Sequence, residues 1–325
     1  MIRSEVKRIA VLTSGGDSCG MNAAIRSVVR TGIYYGLKVY GVFYGYEGLI
    51  NNDLKELDRR SVSGIVNRGG TILKTARSER FRTESGQKKA VHTLKKNKID
   101  GLVVIGGDGS FQGAHVLAKD WGVKCVGVPG TIDNDIEGTD YTIGSDTALS
   151  VALDAIDKIR DTVTSLERIF VIEVMGRESG YIAMRSALAG GAEDVLLPDV
   201  KFDMDKICEE IKAARAKGKV SWILVVAEGA AKAQEIADII SKNTSYETRI
   251  SILGHIQRGG TPTFMDRILA SRLGAAAVKL LLQGDTDKMV GIVSDQVEVT
   301  PLEYATRKGK EAYKNLYELL KILEA

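Results

Sequence analysis

Gly101-Leu-Val-Val-Ile-Gly-Gly-Asp-Gly-Ser110 and Cys125-Val-Gly-Val-Pro-Gly-Thr-Ile-Asp-Asn-Asp135 are built on one plan. Each is a short apolar run that stops at glycines and then presents carboxylates: Asp108 in the first, Asp133 and Asp135 in the second. Runs this apolar suit strands covered on both faces, as in a parallel sheet. In open α/β sheets, ligands bind outside the carboxyl ends of the strands. Two such strands lying close together would deliver these carboxylates and several bare backbone amides to one crevice. Moving a phosphoryl group needs those parts: a metal ligand, a base, and amides for phosphate oxygens.

Outward from this pair, apolar strand candidates recur at Arg8–Leu12, Val39–Tyr44, Ile169–Met175, Trp222–Ala227, Ile250–Leu253 and Val290–Val293. Segments of helical periodicity lie between them, such as Ala148–Arg160, Met204–Ala216 and Arg267–Leu282. Alternation at this spacing predicts βαβ units and an α/β class. A chain of 325 residues is long enough for two lobes, although composition does not place a boundary.

Bulk composition narrows the function classes. Lys and Arg total 45 against 42 Asp and Glu, too balanced to suggest a nucleic-acid partner. Aromatic residues make up 6% and do not interleave with basic clusters, so base-stacking platforms are not expected. Cys19, Cys125 and Cys208 are scattered and odd in number, which argues against a disulfide framework or a zinc site. No apolar run approaches a membrane span, and no signal-peptide pattern precedes Arg8. A soluble, cytoplasmic protein with no membrane partner is expected.

Three loops carry candidate chemistry. Thr13-Ser-Gly-Gly-Asp-Ser-Cys-Gly20 opens a helix, which offers unpaired amides and the positive end of a helix dipole. It is neither a dinucleotide fingerprint nor a Walker A motif, and alone it reads equally as a tight turn. In Gly106-Gly-Asp-Gly-Ser110, Asp108 stands between glycines that leave a nucleotide's phosphates unobstructed. Magnesium takes only one or two protein carboxylates, so Asp108 alone is adequate. Thr131-Ile-Asp-Asn-Asp135 sets two carboxylates at i and i+2, which point the same way if the loop is extended. One could take a proton from a hydroxyl while the other bears on metal or orientation.

Arginines set the substrate class. Arg177 and Arg258 follow strand ends beside glycines, Arg77 lies in Lys74-Thr-Ala-Arg-Ser78, and Arg168 and Arg249 flank strand starts. This arrangement suits forked contacts to phosphate. Taken in order, TSGGD, GGDGS, PGTIDND, GTDYTIG, EVMGR, GHIQRGG and DRILASR strongly resemble the bacterial ATP-dependent 6-phosphofructokinases, from about residue 7 to 295.

That resemblance implies two Rossmann-like three-layer αβα lobes with mostly parallel sheets, assembled as a homotetramer. It places an ATP lobe at 1–143 plus 256–306 and a fructose 6-phosphate lobe at 144–255 plus 307–325. The implied reaction moves the γ-phosphoryl of ATP, bound with Mg2+, to the 1-hydroxyl of fructose 6-phosphate. Asp133 would be the base, with Thr131, Asp135 and Arg177 completing the catalytic set, and Asp108 would hold the metal. Gly16, Tyr46, Arg77, Ser78, Gly107, Asp108, Gly109 and Ser110 would bind ATP. Thr131, Ile132 and Asp133 would meet the sugar phosphate, with Met175, Gly176, Arg177, Glu228, His255, Ile256, Gln257 and Arg258. Arg168 and Arg249 would reach in from a neighbouring subunit.

A second site for ADP or phosphoenolpyruvate is implied at Arg26, Arg30, Arg59, Arg160, Gly191, Glu193, Lys217, Lys219 and Ser221. Arg26 and Arg30, at i and i+4, share a helix face, which also suits a solvated basic surface. The family's Lys-Lys-His run reads Lys219-Val220-Ser221 here, so a retained but altered effector response is expected. Cys19 replaces a usual proline, Leu166 a common histidine, and the tail beyond about 295 matches poorly.

Pyrophosphate-dependent relatives carry an acidic residue and a lysine where this chain has Gly109 and Gly130, so ATP is the expected donor. The competing readings are a pyrophosphate-dependent enzyme, another GGDG kinase acting on NAD or diacylglycerol, and a non-catalytic sugar-phosphate-binding subunit. Nothing in a GGDG kinase explains TIDND together with HIQRGG. A regulatory subunit should have lost Asp108 or Asp133, and both are present.

Overall fold

The computed structural model describes residues 6–306 and 314–324. They divide into two units: residues 6–147 with 258–306, and Ala148–Gln257 with residues 314–324.

In the first unit, β1 (Arg8–Thr13), β2 (Lys38–Val42), β3 (Leu54–Leu57), β4 (Gly101–Gly106) and β5 (Cys125–Pro129) share a sheet with two strands from late in the chain. The second unit holds β6 (Ile169–Val174), β7 (Asp194–Leu196), β8 (Trp222–Ala227) and β9 (Thr248–Ile252). The late strands are β10 (Lys288–Val293) and β11 (Gln296–Pro301). Sheet order is β11-β10-β5-β4-β1-β2-β3 in the first unit and β7-β8-β6-β9 in the second. Interior pairings are parallel, and among the described residues only β2 with β3 and β10 with β11 run antiparallel.

The first sheet is covered on both faces, because β1 and β4 send alternate side chains to opposite sides. Ile9, Val11, Val103 and Ile105 join a core with α1 (Met21–Tyr34). Ala10, Leu12, Leu102 and Val104 face the other way. They pack with α2 (Gly45–Asn51), α3 (Glu84–Lys96) and α4 (Asp108–Trp121).

Helix α5 (Ser145–Leu166) starts in the first unit and continues in the second. The second sheet packs α6 (Tyr181–Ala189) against β8. On a core with Val171, Leu224 and Val226 it carries α7 (Met204–Ala216) and α8 (Ala233–Thr244). Three helices follow: α9 (Phe264–Gln283), which joins α1 on the first sheet, then α10 (Leu302–Ala305) and α11 (Lys314–Glu324).

The two units part at Thr147 and Arg258, near the limits expected after 143 and before 256, and side-chain bonds tie both residues to the first unit. Thr147 stays with the first unit because the Asp266 carboxylate accepts from its backbone N–H at 2.9 Å and from its hydroxyl at 2.5 Å. Arg258 stays there too: its guanidinium donates to the Asp17 carbonyl at 2.8 Å, and its own carbonyl accepts from the Cys19 thiol.

All three cysteines carry buried free thiols. Burial, with the charges of Asp266 and Asp17, pushes the Cys19 thiol up to about 11. Burial likewise raises Cys125 and Cys208. Thiolate is the reactive form. An aromatic disulfide reagent at mildly alkaline pH should therefore label almost no thiol in the native protein and all of them in guanidinium. Rapid native labelling would contradict this packing.

Candidate active site

β4 and β5 are adjacent and parallel, with Ile105 opposite Val128 and Gly106 opposite Pro129. The backbone N–H of Gly130 donates to the Gly106 carbonyl at 2.9 Å, so the pairing continues into both loops. On the other side of β4, Thr13 of β1 stands opposite Ile105, and Ser14 N–H donates to the Ile105 carbonyl at 3.0 Å. Three loops thus leave neighbouring strands at the same edge.

Asp108 is the first residue of α4, half-buried, after Gly107 at the helix N-cap. A carboxylate there gains from the helix dipole. The Gln112 side-chain amide, one turn on, donates to both carboxylate oxygens at 3.1 and 2.9 Å. Gly109 faces open space, since a Cβ there would meet nothing within 4 Å. Ser110 is buried, and its carbonyl accepts from the Tyr46 hydroxyl at 2.5 Å. Tyr46 stacks on Phe81 with ring centroids 4.1 Å apart, and at 5% exposure it supports the first turn of α4 from below. Burial raises its phenol well above the ordinary value, so it stays a donor.

Gly130 differs from Gly109. A Cβ there would lie 3.1 Å from Ile105 and 3.3 Å from Met21. The space its missing side chain leaves is taken by core atoms, so open space lies beside Gly109 and not beside Gly130.

The acidic loop also departs from expectation. Asn134 has φ +48°, and bends fall at Ile132 and Asp133, so the backbone is not extended. Asp133 is 3% exposed while Asp135 is exposed, so the two carboxylates do not share a face. Thr131 Oγ1 accepts from Asp133 N–H at 3.2 Å, and the Thr131 carbonyl accepts from Thr142 Oγ1 at 2.6 Å. Asn134 donates to the Asp140 carbonyl at 3.0 Å. These bonds hold Asp133 at the strand end and leave Asp135 in solvent.

Arg77 is exposed, and the Ser78 hydroxyl donates to Glu47 at 2.6 Å. The Arg258 guanidinium lies against Gly16, where a Cβ would come within 2.6 Å of it.

In the second unit, β6 ends in a sharp turn with φ +141° at Gly176 and +51° at Arg177. The Glu228 carboxylate, at the end of neighbouring β8, accepts from Gly176 N–H at 3.2 Å and from Arg177 N–H at 2.9 Å. Gly229 completes the lock, because a Cβ there would stand 1.9 Å from the Arg177 carbonyl oxygen. Met175 is half-buried and the Arg177 side chain exposed.

His255 and Ile256 are exposed, whereas Ile132 and Gln257 are fully buried. Gln257 donates to the Gly254 carbonyl at 3.1 Å. The last two side chains therefore shape their turns and offer no surface to a sugar. Arg168 and Arg249 both pair with Glu247. Desolvation would raise that carboxyl, but the bonds and charges of Arg168 and Arg249 together outweigh it and hold Glu247 below the usual carboxylate range.

Of the expected effector residues, Arg26, Arg30 and Arg59 lie in the first unit, with Arg26 and Arg30 half-buried on α1. The others lie in the second, where the Arg160 guanidinium donates to the Gly190 and Gly191 carbonyls. Lys219 pairs with Glu193 at 3.3 Å, and Glu193 also accepts from Ile223 N–H at 2.6 Å. Lys217 is exposed and Ser221 half-buried.

The phosphofructokinase family profile matches residues 8–281. The chain belongs to the phosphofructokinase family. It is 53% identical over 98% of its length, and 99% of the relative's, to the ATP-dependent 6-phosphofructokinase of Thermoanaerobacter sp. (strain X514). The Shouchella clausii enzyme of the same name is 54% identical over 97% of this chain and 98% of its own. Among solved structures, Saccharomyces cerevisiae phosphofructokinase superposes with TM-score 0.88 and 36% identity over 98% of this chain. The chain spans about half of that yeast chain, 47%. A pyrophosphate-dependent phosphofructokinase from Marinobacter aquaeolei shares the fold, with TM-score 0.83 at 21% identity over 97% of this chain and 91% of its own.

A bulky residue at 229 must displace the Arg177 carbonyl and loosen the Glu228 bonds. Gly229→Val should raise the KM for fructose 6-phosphate by about tenfold or more while moving the KM for ATP little. Equal changes in both would show a general loss of folding instead.

Proposed function

We infer that this chain is an ATP-dependent 6-phosphofructokinase, transferring the γ-phosphoryl of ATP to the 1-hydroxyl of fructose 6-phosphate in glycolysis. The β4–β5 register carries this reading, because it brings the Asp108 and Asp133 loops out of adjacent strand ends.

In the proposed assignment, Asp133 accepts the proton of the attacking hydroxyl. Its side chain is buried and the Thr131 hydroxyl fixes its backbone N–H, which together restrict where the carboxylate sits, as general-base catalysis requires. Asp135 is exposed and is assigned to outer contacts. Gly107 to Ser110, with Arg77 and Ser78, receive the nucleotide.

Among the described residues no group of three or more His, Cys, Asp or Glu side chains could hold a metal. One carboxylate at a helix start beside open space suits magnesium, which keeps its waters and binds substrate phosphates. Asp108 would hold it, and the ion when bound neutralises charge on the β- and γ-phosphates.

On the sugar side, Arg177 and Arg258 supply cations, His255 is assigned to the sugar phosphate, and Glu228 fixes the turn that presents Arg177. Arg168 and Arg249 are assigned to a neighbouring subunit's site in a homotetramer. Arg160, Glu193 and Lys219 are assigned to ADP or phosphoenolpyruvate. Among the described residues no helix is long and apolar enough to cross a membrane, and a cytoplasmic setting is proposed.

A coupled assay with fructose 6-phosphate should show turnover with ATP and little with pyrophosphate, and comparable rates would overturn the donor assignment. Asp133→Ser should lower kcat by roughly 10²- to 10⁴-fold while sparing fructose 6-phosphate binding. An unchanged kcat would remove Asp133 as base.

A further inference from the structure

We propose that Asn22 is a positioning residue for the nucleotide: its side chain fixes the irregular segment 68–75, from which Arg77 and Ser78 extend. This rests on the reading that Arg77 and Ser78 meet ATP.

Segment 68–75 has no strand or helix of its own, so its backbone polar groups need other partners. Asn22, in the first turn of α1 and 2% exposed, supplies three hydrogen bonds. Its amide donates to the Arg68 and Gly69 carbonyls at 3.1 Å each, and its oxygen accepts from Ile72 N–H at 2.7 Å. Two threonines extend the stitching. Thr13 at the end of β1 donates to the Lys74 carbonyl at 2.8 Å, and Thr75 donates to the Gly15 carbonyl at 2.7 Å. Leu73, fully buried, pins the middle.

The segment is thus tied to the glycine turn after β1, which lies beside the Asp108 loop. Ser110 Oγ would be 3.5 Å from a Cβ at Gly15. Asn22 touches no candidate ligand group itself. It carries donors to the start of one short segment and an acceptor to its middle, and no other residue type of its size does so. If the segment shifts, Arg77 and Ser78 move while the acidic loop and the second unit's turns keep their own bonds. The segment also packs on the 258–260 turn, where a Cβ at Gly69 would lie 2.3 Å from the Gly260 carbonyl oxygen, but that turn keeps its own bonds to Cys19 and Asp17, so the larger movement falls on Arg77 and Ser78.

Asn22→Asp tests this with an isosteric change. It keeps the acceptor for Ile72 but turns a carboxylate oxygen toward two carbonyls. Thr75→Val, which removes only the bond to Gly15, covers the case in which Asn22→Asp fails to fold. Three quantities are read: KM for ATP, KM for fructose 6-phosphate, and the calorimetric Kd for ADP. Asn22→Asp should raise KM for ATP and Kd for ADP by about tenfold, and Thr75→Val by about threefold. The fructose 6-phosphate KM and kcat should stay within about twofold.

Unchanged nucleotide affinity in the folded variants overturns the proposal, as does an equal rise for both substrates, which would mark a general structural role. Arg77→Ala is the separate control. If it leaves ADP binding intact, the role of Arg77 falls, while the Asn22→Asp shift still decides whether the segment positions the nucleotide.

Discussion

The hydrogen bond from Gly130 N–H to the Gly106 carbonyl keeps two parallel strands in register beyond their own ends. Everything chemical in the first unit depends on that register. A parallel ladder aligns strand ends without a turn between them, so residues 20-odd positions apart in sequence emerge side by side. The α4 helix then starts within two residues of β4, which puts Asp108 on the dipole's positive end. The acidic loop has no helix to follow it directly, and it takes its shape from Thr131, Thr142 and Asn134 instead.

The second unit solves the same geometric problem with a carboxylate. Glu228 occupies the end of β8 and accepts two amides from the end of β6, holding Arg177 in a left-handed conformation that a non-glycine residue seldom adopts. A strained residue persists when its surroundings over-determine it, and the absence of a Cβ at Gly229 is part of that determination.

Much of this was legible because apolar runs and terminal glycines are local signals. Strands buried on both faces announce themselves, as do the motifs that follow them. The strands that sequence reasoning passed over are of a different kind. β3 is short and mostly exposed, β7 has three residues, and β11 is a mostly exposed edge. They are too short or too exposed to register as apolar runs, and each pairs along a neighbour. The divergence of Asp133 from Asp135 was hidden for a related reason: one left-handed asparagine reverses the side-chain alternation, and composition does not reveal φ. Tyr46 and Asn22 act through buried hydrogen bonds to carbonyls distant in sequence, which leave no spacing to read.

The two sheets differ at their margins. The first ends on both sides in antiparallel strands bearing charge or proline, with Lys55 and Glu56 on one and Glu298 and Pro301 on the other. Such borders discourage a further strand from joining. The second ends at β9, whose Ile250 is 36% and Ile252 58% exposed, with one charged residue, Arg249, between its ends. Once folded, the first sheet has sealed margins, while the second carries an adhesive one at β9; during synthesis β9 emerges before β10 and β11 close the first sheet. The protection this polypeptide needs against sticking to its own copies is therefore concentrated at β9, in the final third of its sequence.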